Sequence, residues 1–329
     1  MRPALRDVID QIPEPGGVFD SENFVVESIP GHERHFVGWD HRGAPCVLLT
    51  SVDGGFRAPL QLSGLEVRYS VPCRITLQNG TSRDETLSVV ICTAPEVQLQ
   101  DYFLHLMETI LRIVGERPTM AVIVGAIGNL VDILQQLARP PRREVIGLYG
   151  ELVVIALSAN PLDCVAAWRA DADDRFDFSI GDARLEAKAT SGKLRSHMFS
   201  LEQCRPPVGT HGAVASMFVE LSGGGQSIEE IVAEIVHRVE DEGARLKVQR
   251  TVAQSLGSGL TQALTVRFDD VLARSSYQLF DLRSIPAIRE ALPKELSEVR
   301  FRVDLTDVVA ASIEGLRSRS PTLGRLLPA

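Results

Sequence analysis

The feature that most constrains this chain is a change of period partway along it. Between Phe24 and Thr93 the apolar residues come in short runs rich in β-branched side chains, FVVESI, HFVGW, CVLLTS, LEVRYS, CRITLQ and TLSVVICT, parted by Gly, Pro, Asn and Asp. Runs of that length between turn residues specify strands, and six in succession specify an all-β module. The spacing then becomes helical. Phe103, Met107, Ile110, Leu111 and Val114 form one stripe, and Ile123, Ile127, Leu130, Leu134 and Leu137 form another, ahead of the break ARPPRR. With 329 residues there is chain enough for two or three domains with real cores. The expected organisation is a β-rich module over 1–96, connecting helices over 97–141 and a further domain over 142–329.

That last part alternates strands and helices. A helix is expected from near Arg143 to Leu157, with Leu148, Leu152 and Ile155 on one stripe and Glu151 beside it, near the core boundary. A strand from Phe176 to Ile180 turns through Gly181-Asp182 into a second strand, Ala183 to Ala189. HGAVASMFVEL, residues 211–221, reads as a buried strand, and Ser227 with Glu230 forms a capping box for the helix that follows. Another helix is expected from Asp241 through Ala253, then strands in ALTVRF, YQLFDL and VRFRVDL, and a last helix near Val308 to Leu316. The fold class is α/β, in the α+β sense.

Several function classes drop out on composition. The first twenty residues lack the apolar core of a signal peptide, and apolar runs are broken by charge, which points to a cytoplasmic protein and no membrane. Five scattered cysteines, never spaced C-x-x-C, imply neither a disulfide framework nor a zinc knuckle. The seven histidines form no H-E-x-x-H or H-N-H cluster. A formal charge of -9 means that any grip on a polyanion must be local or shared with a partner.

The chemistry concentrates in DFSIGDARLEAKAT, residues 177–190. Side chains alternate along a strand, so Glu186 and Lys188 share one face while Leu185, Ala187 and Ala189 take the other. Across an antiparallel hairpin Asp177 comes opposite Glu186, within about 5 Å. Two carboxylates that close call for a positive charge between them, and a hard divalent ion is held by one or two carboxylates plus water and substrate phosphate. Lys188 then stands where it can act on a water or on developing charge. Glu151, arriving on the preceding helix, is expected as a third carboxylate. Taken alone, E-x-K reads as a solvent-facing pair on an amphipathic strand; with Asp177 and Glu151 it reads as a metal site.

The arrangement D-x8-E-x-K, preceded by a helical glutamate, resembles the PD-(D/E)xK nuclease superfamily. More narrowly, GLYGELVVIAL, the pair DF and LEAKATSGKLRSHMFSLEQ are similar to a bacterial family named for that motif and encoded with restriction and phage-defence components. The likeness is best over Val145 to Gln203, and Phe176 stands where the motif's name has proline. It implies a restriction-endonuclease-like core, a mixed central sheet flanked by helices, beside the β-rich module. It also implies a Mg²⁺-dependent DNA endonuclease, with Mn²⁺ as substitute. Asp177 and Glu186 would bind the metal, Lys188 would serve the attacking water and Glu151 would support metal or water. DNA, other restriction or defence subunits and a homodimer are the partners it implies. The alternative is a nuclease-fold DNA-binding or assembly subunit that needs partners to cut or does not cut.

Further candidates surround the hairpin. Arg184, Lys188, Lys193, Arg195 and Arg205 outnumber Glu186 and Glu202, a locally basic window in an acidic chain, so Lys193 and Arg195 are expected at nucleic acid with His197. Gln203 reads either as the partner of Ser200 in a capping box, S-L-E-Q, or as a side chain facing the site or DNA. Asp171, Asp173 and Asp174 read as a solvated loop, Arg317, Arg319 and Arg325 as a solvated tail, and Gly223 to Gly225 as a strand-to-helix turn rather than a phosphate loop.

Overall fold

The change of period is also a change of architecture in the computed structural model, which describes residues 4–13, 20–55, 57–137, 144–169, 175–290, 293 and 295–329. Two compact units result, Met1–Gln135 and Gln136–Ala329. In the first, α1 (Leu5–Ile9) precedes β1 (Asn23–Ile29), β2 (His32–Trp39), β3 (Pro45–Leu49), β4 (Leu60–Leu62), β5 (Leu65–Leu77) and β6 (Ser82–Cys92). Then come α2 (Val97–Val114) and α3 (Met120–Leu137). The strands pair in the order β1-β2-β3-β6-β5-β4, and β1 also pairs in parallel with β5. Five strands thereby close into a barrel, which removes the open edges of the sheet, while β4 folds back on the start of β5.

Phe24, Val26, Phe36, Leu48, Ile75 and Val89 fill the barrel. Gly38 permits the β1–β2 approach, since a Cβ there would lie 2.0 Å from the Val25 carbonyl oxygen. Met120–Leu137 is long and apolar enough, by length and composition, to cross a membrane, with mean hydropathy 1.6. Its Ile123, Ala126, Ile127, Leu130 and Ile133 are nevertheless buried within the protein.

The second unit begins with α4 (Val145–Leu157) and α5 (Pro161–Ala167), then β7 (Phe178–Ile180), β8 (Ala183–Thr190), β9 (Ser196–Ser200), β10 (His211–Phe218) and β11 (Leu221–Ser227). Next are α6 (Ile228–Arg238), α7 (Glu242–Leu256), α8 (Leu260–Leu264), β12 (Arg267–Phe268) and α9 (Asp270–Ser275). The unit ends with β13 (Gln278–Asp281), β14 (Arg300–Asp304), α10 (Ile313–Arg319) and α11 (Pro321–Leu326). Its central sheet runs β13-β10-β8-β7, with β8 and β10 parallel and the outer pairs antiparallel. The chain is thus a mixed α/β protein whose site-bearing strand, β8, has a neighbour on each side.

Helix α4 lies on β8 through Gly150, where a Cβ would come 2.8 Å from the Ala189 Cβ. That contact uses the Leu185, Ala187 and Ala189 face, so Glu186 and Lys188 face the other way. There a second core forms from Phe176, Phe199, Cys204, Val214, Phe280 and Val303, among others.

Some elements depart from expectation. Arg143 lies outside the described residues, and α4 starts at Val145. Instead of one buried stripe, α4 is buried all round from Leu148 to Ala156, which carries Glu151 into the core rather than to its boundary. ALTVRF is not one strand: Ala263 and Leu264 end α8, and only Arg267 and Phe268 are in a strand. Gly223 to Gly225 lie within β11, at a register shift against β12, not in a turn before α6. The helix expected near Val308 begins later, at Ile313 behind the Ser312 cap, and it is not the last, since α11 follows. The C-terminal arginines are docked rather than solvated tail: Arg319 pairs with Asp281, Arg325 with Asp163, and Arg317 donates to the Pro328 carbonyl.

Candidate metal centre

The hairpin register sets the geometry. Ile180 pairs with Ala183, Ser179 with Arg184 and Phe178 with Leu185, which brings Asp177 opposite Glu186. The turn favours glycine, because Gly181 has φ 51°. Asp177 and Glu186 are 5% and 4% exposed. Their contacts cross the pair in both directions. The Asp177 amide donates to Glu186 Oε2 at 3.3 Å, and the Ala187 amide donates to Asp177 Oδ2 at 3.0 Å.

Glu186 is the hub. Lys188 Nζ lies 2.6 Å from Glu186 Oε1 and 5.0 Å from the centre of the Phe199 ring. Gln203 Nε2 donates to the same oxygen at 2.7 Å and to the Arg175 carbonyl at 3.1 Å. Burial and the nearby Asp177 charge push the Glu186 carboxyl up to about 7, against the opposing pull of Lys188. A buried carboxylate whose charge stays costly with a lysine beside it suits a cation. Among the described residues no group of three or more His, Cys, Asp and Glu forms a metal cage. The pair fits a hard ion that keeps most of its water.

Glu151 does not join that pair in a cluster. It is 1% exposed and grips the segment after α5: Trp168 Nε1 donates to Oε2 at 2.6 Å, and Arg169 Nη2 reaches Oε1 at 2.8 Å and Oε2 at 2.6 Å. Its expected place at the metal edge rested on helix periodicity, which fixes a direction from one helix but not which neighbour the side chain meets. Asp171, Asp173 and Asp174 lie outside the described residues.

The candidate nucleic-acid residues divide. Lys193 is exposed. Arg195 and His197, expected at nucleic acid, are instead buried, 6% and 4% exposed. Arg195 Nη1 donates to the Ser216 carbonyl at 2.8 Å and to its hydroxyl at 2.9 Å, and Nη2 donates to the Ser276 carbonyl. His197 Nε2 bonds the same hydroxyl at 2.8 Å. Ser216 is the β10 partner of Lys188, so this network lies beside the lysine within the sheet. Burial, then the Lys188 and Arg195 charges, lowers the His197 imidazole to about 4. The cause of the discrepancy is β9, a strand unforeseen in SHMFS, which pairs with β14 and turns His197 inward.

Gln203 touches both Ser200 and Glu186. Ser200 and Gln203 exchange backbone-to-side-chain bonds of 3.0 and 3.2 Å as a capping box would, yet only a turn follows. The box fixes the backbone and leaves the amide nitrogen for Glu186. Two participants escaped sequence reasoning. Trp168 and Arg169 sit in WRADADD, where the acids drew attention and the flanking arginine gave no periodic signal.

A family model described as "Putative PD-(D/E)XK family member, (DUF4420)" matches residues 17–306. Neither the curated proteins nor the solved structures contain a match.

Proposed function

The chain belongs to the DUF4420 family of PD-(D/E)XK type, and from that membership we propose that it is a Mg²⁺-dependent endodeoxyribonuclease of a restriction-like or phage-defence system. The observation that carries this reading is the buried pairing of Asp177 with Glu186 beside Lys188. In this reading Asp177 and Glu186 hold the ion, with Mn²⁺ as a substitute. Bound there, the ion supplies Lewis acidity and makes water a better nucleophile at neutral pH.

The chain's own side chains do the rest. Lys188 orients the attacking water and offsets negative charge developing on the phosphate, held on line by the Phe199 ring below it. Gln203 keeps Glu186 Oε1 in place through its 2.7 Å bond. Lys193 meets a backbone phosphate. Arg195 and His197 act only by holding Ser216 beside Lys188. Alanine at Asp177, Glu186 or Lys188 is expected to lower Mg²⁺-dependent nicking of supercoiled DNA by at least about 100-fold while leaving a cooperative thermal transition. Full nicking by folded Glu186→Ala would overturn the assignment.

The net charge of -9 favours a second reading, in which the same fold docks on DNA and depends on partner subunits for cleavage. It predicts DNA binding without cleavage in Mg²⁺ or Mn²⁺, unchanged by Glu186→Ala.

A further inference from the structure

Glu151 has the burial of a structural residue and the location of a functional one. The Trp168–Arg169 segment it holds runs antiparallel to the start of β7: Trp168 bridges Phe178, and the Arg169 amide donates to the Asp177 carbonyl at 2.8 Å. Arg169 has φ 44°, a left-handed backbone that a residue with a Cβ adopts at a cost and keeps only where its surroundings enforce it. Those surroundings are specific. Glu151 takes the guanidinium through Nη2, and Ser255 on α7 takes it through Nη1 at 2.7 Å. Ser255 in turn donates to the Thr251 carbonyl at 2.8 Å, which anchors the assembly in α7.

We propose that Glu151 and Arg169 form a clamp that positions Asp177, Glu151 acting through Arg169 and not by touching the metal. Resting on the metal-site reading of Asp177 and Glu186, the clamp makes both clamp members positioning residues. It explains why a carboxylate near the hairpin is committed to an arginine, and why that arginine tolerates a strained backbone.

The test is a double-mutant cycle on the full chain, with two readouts. The first is Mn²⁺ affinity, followed by the electron spin resonance of free Mn²⁺. Glu151→Ala and Arg169→Ala should each weaken binding roughly tenfold, as outer partners of metal ligands do. The double variant should lose about the same tenfold, because both substitutions break one link. Glu151→Gln, which still offers Arg169 an oxygen, should recover most of the affinity. A multiplicative loss near a hundredfold in the double variant would overturn the clamp, as would a Glu151→Gln as weak as Glu151→Ala beside a normal Arg169→Ala.

The second readout is amide exchange at Ala187, whose N–H reports the Asp177 carboxylate with or without metal. Either alanine substitution should speed it while Glu151→Gln stays near wild type, and Arg169→Lys, whose single ammonium cannot span Glu151 and Ser255 together, serves where an alanine variant does not fold. Unchanged exchange overturns the clamp. If the wild type binds no Mn²⁺ but exchange still responds, the clamp stands and the metal reading falls.

Discussion

At the scale of single residues, the site holds two ionisable groups whose burial pulls stability in opposite directions. Glu186, raised to about 7, binds its proton more tightly folded than unfolded, where a glutamate titrates near about 4.3. Stability therefore falls as pH rises from roughly 4.5 to 7, and the full cost remains above 7. His197, lowered to about 4 from an unfolded value near about 6.5, does the reverse: it holds fewer protons folded, so stability falls as pH drops from roughly 6.5 to 4. Over the shared window the two slopes offset. Glu186→Gln should unmask the histidine, giving stability that rises with pH to about 6.5 and a melting temperature a few degrees above wild type at pH 8. His197→Asn should unmask the glutamate and show the opposite slope. Urea melts across pH 4–8 check both; parallel profiles for the two variants would refute the account. Glu186 and Lys188 were legible in the sequence because strand alternation and hairpin register are local rules. His197 was not, because its burial depends on β14, a hundred residues away in the chain.

At the scale of elements, the approach of α4 to β8 decides where the hairpin stands. Gly150 lies where a Cβ would meet the Ala189 Cβ at 2.8 Å, whereas a Cβ on Gly147, in the same helix, would meet nothing within 4 Å. Gly150→Ala should therefore destabilise by about 1–3 kcal/mol through overpacking. Gly147→Ala should be neutral or stabilise by about 0.5–1 kcal/mol, the ordinary helical gain over glycine. Equal melting temperatures for the two variants would show that the helix can retreat without penalty. The barrel strands and the long helices were readable because each carries enough periodic residues to declare itself. Two-residue β12 was not, since it exists only as the partner of β11. Nor was the all-round burial of α4, whose stripe of Leu148, Leu152 and Ile155 lies on the other side of the helix from Gly150, the residue that meets β8.

For the molecule as a whole, the charge of -9 decides how it can meet DNA. The sequence shows a basic window between Arg184 and Arg205, but the fold engages most of it in contacts of its own. Arg195 is buried on Ser216 and Ser276, Arg184 donates to the Gly181 and Ala183 carbonyls, Arg205 to those of Ile288 and Glu290, and Lys188 pairs with Glu186. Lys193 and Arg205 remain exposed. A linear count of basic residues therefore overstated the positive surface, because it could not register which guanidinium groups serve backbone carbonyls. Each phosphate neutralised contributes about 0.9 to the slope of log affinity against log salt. For the isolated chain that slope should be no steeper than about -3, corresponding to roughly three phosphates, with affinity in the non-specific range of about 10⁻⁴ to 10⁻⁶ M at physiological salt. Fluorescence anisotropy of a labelled duplex between 50 and 200 mM salt, on the order used for such titrations, measures it. A slope near -6 or steeper would mean that a basic surface outside this window engages DNA, and would remove the reason for expecting a partner. A shallow slope that steepens when a second subunit is added would place the missing positive charge on that subunit.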